Sequence, residues 1–357
     1  MKIINARSPF FVTVDELNQV GSKIEIFIWN NPNTKPITRN YSLSKKIASF
    51  AQTANTYNIS SFIQEYIENI VSTNTSDLTY ANVSIDVYKE VSAGDYSLTR
   101  VEEYVGVNGF NTYLDGANKI NSNEIITLLS NNLKTVYYNR LDSIPFVNVF
   151  IDSVLGDTLE LNYTDKRGRN LTNTILISAT DTARKELLKI PLSTTSIKYD
   201  EENKLEIKYT RGEQIFSFNY TVMAICENKY TPVVCSFINR FGGWEFLTFF
   251  KAQTNTIDVS NTSFDLNPSN VNYDVFKGKT KNFNTNGNQT VKLNTGWIDE
   301  IHNETIQDLM LSETILLDNK PASIATKQTI LKTDLNEKNI NYTLDFSYNF
   351  DLINNVI

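Results

Sequence analysis

The chain has 357 residues, more than one ordinary domain core holds, and this length favours two or three domains. Its 41% hydrophobic and 20% charged residues supply enough apolar material for packed cores, which excludes a globally disordered chain. The net charge of −7 provides no overall cationic surface, so we expect no nucleic acid on the main surface of the protein.

The sequence gives no sign of export or membrane insertion. No run approaches the roughly 18 consecutive apolar residues of a membrane span, so no membrane partner is expected. The segment Met1 to Arg7 is too short and too polar for a signal-peptide core. We therefore expect the protein to stay in the cytoplasm where it is made. In that reducing compartment, Cys226 and Cys235 are interpreted as small buried thiols in preference to a disulfide across a hairpin.

Alternation of apolar and polar residues dominates the chain and is typical of half-buried strands. In chain order, it predicts strands over Lys23–Trp29, Phe146–Ile151, Thr174–Ile177, Leu205–Tyr209, Ile215–Ile225, Glu245–Phe250, Val291–Leu293, Thr314–Leu317 and Tyr342–Leu352. Helical spacing of apolar residues predicts helices over Ser61–Val71 and Trp297–Leu311, with a weaker candidate over Asn123–Leu133. The polar stretch Asn282–Gln289 indicates an exposed loop, and Lys166–Arg169 indicates a solvated hairpin turn.

Many strands joined by polar turns predict a mainly-β protein of tandem antiparallel β-sandwich-like domains, with two or three short covering helices. We place an N-terminal sandwich-like domain with helices at residues 1–142 and a middle β-sandwich domain at 143–229. A C-terminal β-rich domain with one amphipathic helix follows at 230–357. The boundaries fall before the strand at Phe146 and in the turn from Asn228 to Thr231.

The residues that usually carry catalysis are sparse. Any histidine-based triad would have to use the single histidine, His302, and its neighbours Glu300 and Glu304 are typical of the solvated face of an amphipathic helix. Two Cys and one remote His do not make a zinc site, and neither a phosphate-binding loop nor an EF-hand loop occurs. We therefore expect no catalytic residue, no metal, no cofactor and no enzyme. A glycosidase pair among the 40 acidic residues is not identified by any pattern.

The densest aromatic segment, Asn239 to Lys251, indicates a candidate protein–protein interface. Gly242 and Gly243 permit a tight turn there, and Arg and Trp are enriched at interface hot spots. The favoured alternative is a turn that feeds a core strand with Trp244 buried, and both interpretations could hold. The candidate interface residues are Arg240, Phe241, Trp244, Phe249, Trp297 and Trp29.

Two groups of segments resemble virion structural proteins of tailed bacteriophages that infect Bacteroidota, including crAss-like phages. The first group consists of Arg240–Trp244 with the strand ending at Phe250, then Leu293–Glu300, Leu309–Glu313 and Thr314–Leu317. The second and weaker group, similar to the N-terminal sandwich of such tail proteins, consists of Ile26–Asn30, Pro36, Tyr41–Lys45 and Ile59–Ile67. Together they cover about 150 residues, and they contain no chemical motif, so the resemblance transfers no catalytic residue.

The resemblance implies a non-enzymatic structural subunit of a phage tail or neck, in a ring, adaptor or baseplate-like layer. Its expected partners are copies of itself in a ring and other tail, neck or portal proteins. Its expected location is the virion tail, after assembly in the cytoplasm of the host bacterium.

The alternative function is a carbohydrate-binding surface or fibre module, which exposed coplanar aromatics around Trp29 or Trp244 would favour. A tail-embedded glycoside hydrolase is a third possibility, which two carboxylates converging in a deep cleft would favour.

Overall fold

The computed structural model describes residues 2–30, 34–48, 52–73, 80–121, 125–131, 135–139, 145–176, 184–192, 202–227, 229–266, 274, 276, 278–331 and 339–354. The chain packs into two compact units. Unit 1 contains Met1–Ile225 and Ile238–Glu245, and unit 2 contains Cys226–Phe237 and Phe246–Ile357. Most of both the first and the second predicted domain lies in unit 1, and the boundary near residue 142 stays a prediction.

The N-terminal part of unit 1 is a six-stranded sheet covered on one face. Its elements are β1 (Ile3–Asn5), β2 (Phe11–Val14), β3 (Gly21–Trp29), β4 (Tyr41–Lys46), β5 (Asn55–Asn58), α1 (Ser60–Thr73), β6 (Tyr80–Ser92), β7 (Asp95–Val107) and β8 (Ile120–Asn121). The sheet order is β4-β3-β6-β7-β1-β8, with β1 parallel to β7 and the other described pairs antiparallel. A separate hairpin pairs β2 with β5.

The isoleucines at every second position of β3 show which face of this sheet packs against the helix. Ile24, Ile26 and Ile28 are at most 2% exposed and belong to one apolar cluster. On the same face, Ile63 and Ile67 of α1 pack into that cluster, because residues four apart share one side of a helix. The predicted helix over Ser61–Val71 is therefore confirmed, and α1 covers the sheet as amphipathic spacing requires.

The second part of unit 1 is a β-sandwich. Its strands are β9 (Ile126–Leu128), β10 (Thr135–Asn139), β11 (Phe146–Ser153), β12 (Thr158–Asp165), β13 (Asn170–Leu176), β14 (Arg184–Pro191), β15 (Glu202–Arg211) and β16 (Gln214–Ile225). They form a five-stranded sheet, β10-β16-β15-β12-β13, and a three-stranded sheet, β14-β11-β9. Alternate residues of both sheets fill one core, including Val149, Leu161 and Ile207. The predicted mainly-β, sandwich-like fold is confirmed here.

A third apolar cluster joins the two parts of unit 1. It combines Ile3, Tyr80 and Val105 of the first sheet with Leu129 and Phe150 of the second part. The rings of Tyr80 and Phe150 meet edge to face, with centroids 5.2 Å apart. This burial accounts for the packing of residues 1–225 as one unit.

Unit 2 is built on one seven-stranded sheet with the order β18-β17-β22-β23-β25-β20-β19. Its elements are β17 (Val233–Ile238), β18 (Trp244–Phe249), β19 (Thr254–Asp265), β20 (Thr280–Asn294), β21 (Ile298–Asp299), α2 (Asn303–Leu311), β22 (Ile315–Leu317), β23 (Lys320–Ile324), β24 (Asn339–Ile340) and β25 (Thr343–Tyr348). Between β17 and β18 the chain contributes Ile238–Glu245 to unit 1.

Three sequence predictions are wrong in detail. The weaker helix predicted over Asn123–Leu133 is not present in its described residues 125–131, because Ile126–Leu128 is strand β9, which pairs with β11. The helix predicted from Trp297 begins only at Asn303, because Ile298–Asp299 pairs with β24 and a 3₁₀ turn follows. The predicted loop Asn282–Gln289 is part of β20, where it pairs with β19.

The solvated hairpin turn at Lys166–Arg169 is confirmed. It joins β12 to β13, and Asp165 Oδ1 accepts hydrogen bonds from the backbone amides of Arg167 (2.9 Å) and Arg169 (2.8 Å). Gly168 has φ of +79°, a conformation that suits glycine. The carboxylate therefore holds the backbone of the turn, and the four residues from Lys166 to Arg169 are exposed.

A buried carboxylate stabilises the turn between β11 and β12. Asp157 is 3% exposed, and its Oδ2 accepts hydrogen bonds from Tyr209 Oη at 2.5 Å, from Arg211 Nε at 2.9 Å and from the Val154 amide at 2.9 Å. Burial alone would raise the pKa of Asp157, but these donors and the Arg211 charge hold that pKa below its usual range.

We predict that Asp157→Asn lowers the free energy of unfolding by about 2 kcal/mol at pH 7, because a charge-assisted hydrogen-bond network is lost. A carboxylate with a lowered folded pKa stabilises above its unfolded pKa of about 4, and this contribution disappears as the pH falls through the folded pKa. Denaturant titrations from pH 7 to pH 3 should therefore show that the difference in the free energy of unfolding between the variant and the unsubstituted protein becomes smaller. The exposed Asp95→Asn serves as the matched control. A difference in the free energy of unfolding that stays constant over the whole pH range would contradict the stabilising role of the ionised Asp157 carboxylate.

Candidate interaction surface

The structure separates the six residues that were predicted to form an interface. Their exposures differ widely: Trp244 and Phe249 are buried, Arg240, Phe241 and Trp29 are half-buried, and Trp297 is 61% exposed. Trp244 therefore fills a core, as the alternative interpretation of its segment expected. Phe249 packs edge to face against Phe346 inside unit 2. Of the six side chains, Trp297 offers the most surface to a partner.

The segment Ile238–Glu245 is a tight turn held by one side chain. Asn239 is fully buried, and its Oδ1 accepts hydrogen bonds from the amides of Phe241 (3.0 Å) and Gly243 (3.1 Å). Its Nδ2 donates to Glu245 Oε2 (2.9 Å) and to the Leu129 carbonyl (3.3 Å). These four bonds use the main hydrogen-bonding positions of the amide, so Asn239 fixes both the shape of the turn and its position in unit 1.

Glycines allow this turn to approach its surroundings closely. A Cβ at Gly243 would lie 2.1 Å from the Leu129 carbonyl oxygen, closer than real contacts permit. Gly242 has φ of +79°, and a Cβ there would meet Val107 at 2.8 Å. The glycine-containing part of the aromatic segment, from Asn239 to Glu245, is therefore a packing element of unit 1.

The turn also buries charge. Glu245 is 4% exposed beside Asn239, and Asn131 Nδ2 lies 3.5 Å from Glu245 Oε2. The backbone amide of Trp244, the residue before Glu245, donates a hydrogen bond to Asn148 Oδ1 of β11 at 2.9 Å. Burial, together with the Glu245 charge, raises the pKa of Tyr220 nearby. Because an isolated buried carboxylate is costly, its hydrogen-bond donors are needed for stability.

Strands β19 and β20 of unit 2 form an exposed two-stranded ribbon, called the ribbon below. All twelve residues of β19 are exposed, and β19 is an edge strand of the seven-stranded sheet. Strand β20 pairs with β25 only from Thr290 to Asn294. Nearer the far end, the Leu352 amide bonds to the Gly287 carbonyl at 2.8 Å. Beyond Asn286, the ribbon consists of β19 and β20 alone in the part of the chain that the structure describes.

Both faces of the ribbon carry large exposed apolar side chains. Ile257 (59%) and Val259 (62%) lie on one face, near the base of the ribbon. In the bulge between Ser260 and Thr262, strand β20 has one extra residue, so Phe264 (45%) and Phe283 (42%) lie on the opposite face, near the far end. The rings of Phe264 and Phe283 meet with centroids 5.6 Å apart. Exposed groups of large apolar side chains of this kind mark an interaction site.

Sequence reasoning missed the ribbon. The alternation of Ile257 and Val259 with polar residues is short, and the many Asn and Thr residues of β20 favour a loop interpretation. The register with β19, which makes β20 a strand, joins residues as far apart as Thr254 and Lys292, which are 38 positions apart, so local patterns do not reveal it.

The histidine and the two cysteines, which are the side chains that could carry chemistry, differ in their exposure. His302 is 3% exposed, with Nδ1 3.1 Å from the Asp299 carbonyl oxygen. Cys235 is buried as expected, whereas Cys226 is exposed, and the two do not form a disulfide bond. Burial raises the pKa of the Cys235 thiol. Among the described residues, no three His, Cys, Asp or Glu side chains cluster as a metal site would need.

An open depression lies on the outer face of the five-stranded sheet. Its volume is about 500 Å³, and its lining includes Asn162, Lys204 and Glu206. Tyr220 is also part of the lining but is only 4% exposed, since its ring points into the core. Flat exposed aromatic rings, on which sugars stack, are therefore not part of this depression.

Comparisons with known proteins identify no relative. The sequence matches no protein-family model, and no curated protein matches it significantly. Within the described residues, neither helix is long and apolar enough to cross a membrane.

We predict that Gly243→Ala lowers the free energy of unfolding by about 3 kcal/mol, because the added methyl group must displace the Leu129 carbonyl. The matched control is Gly156→Ala, where φ is +94° but nothing lies within 4 Å of the new Cβ. This control should cost only about 1 kcal/mol of backbone strain. Chemical denaturation measures both values. Equal effects at the two positions would show that the turn does not pack as described.

Proposed function

We propose that the chain is a non-enzymatic virion structural subunit of a phage tail or neck, assembling through protein–protein contacts. One observation carries the proposal: the ribbon, which ends in an edge strand, exposes Ile257 and Val259 on one face and Phe264 and Phe283 on the other. Soluble monomers rarely leave such a surface uncovered, and exposed edge strands pair readily with other chains. In a virion subunit, contacts with neighbouring proteins would bury this surface on assembly.

The mainly-β architecture supports the same role. Unit 1 combines a helix-covered sheet and a sandwich through a shared apolar cluster, which gives a stable body. In this proposal, the body of the subunit is preformed and the ribbon contacts copies of the chain or other tail, neck or portal proteins. Its place of action is the virion, after assembly in the host cytoplasm.

The direct test is the protein content of purified phage particles from a host that expresses the gene. We expect mass spectrometry to find the chain at a fixed ratio to the other tail proteins, and antibody labelling in electron micrographs to mark the tail or neck. Absence from purified particles, with abundant chain left in the host lysate, would contradict the proposal.

A shortened ribbon gives a second test. In this variant Ile257 is joined to Gln289 through Asn-Gly, a two-residue turn that suits directly opposite strand residues. We expect the free energy of unfolding to stay within about 1 kcal/mol of the original, because the removed part adds little to either core. We also expect the variant to be missing from particles. Normal incorporation of the shortened chain would show that the ribbon is not an assembly surface.

A further inference from the structure

The far end of the ribbon combines positive charge with exposed aromatic rings. Between Phe276 and Phe283 the sequence has three lysines and no acidic residue, in a chain of net charge −7. Phe276 is 95% exposed, and the Lys279 side chain is 80% exposed, 3.3 Å from Asp265. Together with Lys281 and Phe264, these residues are called the basic tip.

A second exposed surface of unit 2 has the opposite charge. From Trp297 to Asp318 the sequence has six acidic residues and neither Lys nor Arg. Trp297 is 61% exposed and Leu311 48%, and Asp299, Ile301 and Glu304 are exposed as well. Glu304 and Leu311 are seven residues apart, so they lie on one side of the helix. These five residues are called the acidic patch.

The two surfaces lie at opposite ends of one strand. Thr280 pairs with Asp265 at the tip, and Asn294 pairs with Thr343 at the base. The strand between them has 15 residues, about 48 Å at 3.4 Å per residue. At the base, Tyr342 Oη donates a hydrogen bond to Asn303 Oδ1, which holds the start of α2 there. The basic tip of a copy therefore does not reach the acidic patch of the same copy.

We infer that the basic tip of one copy docks on the acidic patch of the next copy. This inference rests on the proposed function and names the partner of the ribbon as a second copy of this chain. Complementary charge steers the encounter, and the rings of Phe264, Phe276 and Phe283 bury against Trp297, Ile301 and Leu311. Because the two surfaces differ, the contact is head-to-tail, and repeated head-to-tail contacts close into a ring or extend as a filament.

The charge distribution favours a protein partner over nucleic acid. Without the ribbon the chain is more acidic still: residues 254–294 carry four Lys and three Asp, net +1, which leaves −8 on the rest. A body of this charge repels phosphate, and the two lysines of the basic tip displace few counterions. The acidic patch supplies both opposite charge and apolar surface within the same molecule.

The test uses light scattering after gel filtration of the full chain at micromolar concentration. The tip variant is Lys279→Glu with Lys281→Glu, and the patch variant is Asp299→Lys with Glu304→Lys. We expect the original protein to form higher oligomers and each variant alone to be monomeric, with association at least about tenfold weaker. An equal mixture of the two variants should recover higher oligomers, because the intact tip of one variant meets the intact patch of the other and the reversed tip meets the reversed patch. The chain with all four substitutions should recover higher oligomers.

The matched control is Lys166→Glu with Arg167→Glu, which makes the same charge change in the exposed turn of unit 1. We expect it to assemble like the original protein, and circular dichroism checks that every variant is folded.

If the original protein assembles and both charge variants assemble equally well, the inference is wrong while the proposed function stands. A monomeric original protein overturns the inference. If the tip variant then loses binding to duplex DNA, the tip serves nucleic acid instead. Absence from particles, tested separately, overturns the proposed function itself.

Discussion

The buried amide of Asn239 is the constraint on which the central turn of the chain depends. Its four side-chain hydrogen bonds hold Ile238–Glu245 inside unit 1, while the strands on either side continue into unit 2. Glycines at 242 and 243 are required because their neighbours leave no room for a side chain. The aromatic segment with its paired glycines is thus explained by packing. Interface function has to be sought where surface is exposed.

That surface is the ribbon, where the pleat of the sheet and one bulge decide which side chains share a face. At the base, Val291 is 1% exposed and pairs with Asn255, on the same face as Ile257 and Val259, because residues an even number apart point the same way. Ile257 and Val259 therefore continue the core-facing side of the sheet beyond the core. The bulge between Ser260 and Thr262 places Phe264 and Phe283 on the opposite face.

Local alternation predicted the strands that lie over large cores. Ile24, Ile26 and Ile28 are buried together, as their spacing requires, and the same holds for Leu205, Ile207 and Tyr209. Sequence reasoning failed where partners distant in the chain decide the structure, as for β9 beside β11 and for the start of α2 after Ile298. Of the candidate site, Trp297 was predicted and the ribbon was not, because Asn-rich strands resemble loops until their register is known.

Hydrogen–deuterium exchange, compared between dilute monomer and concentrated assembly, tests the central claim most directly. The account predicts that residues 262–266, 278–283 and 297–311 exchange at least about tenfold more slowly in the assembly. The amides of Gly243 and Trp244, which are bonded to Asn239 and Asn148, should exchange slowly in both states. Protection confined to other surfaces, such as the outer face of the five-stranded sheet, would contradict the claim that the ribbon and the acidic patch form the assembly contact.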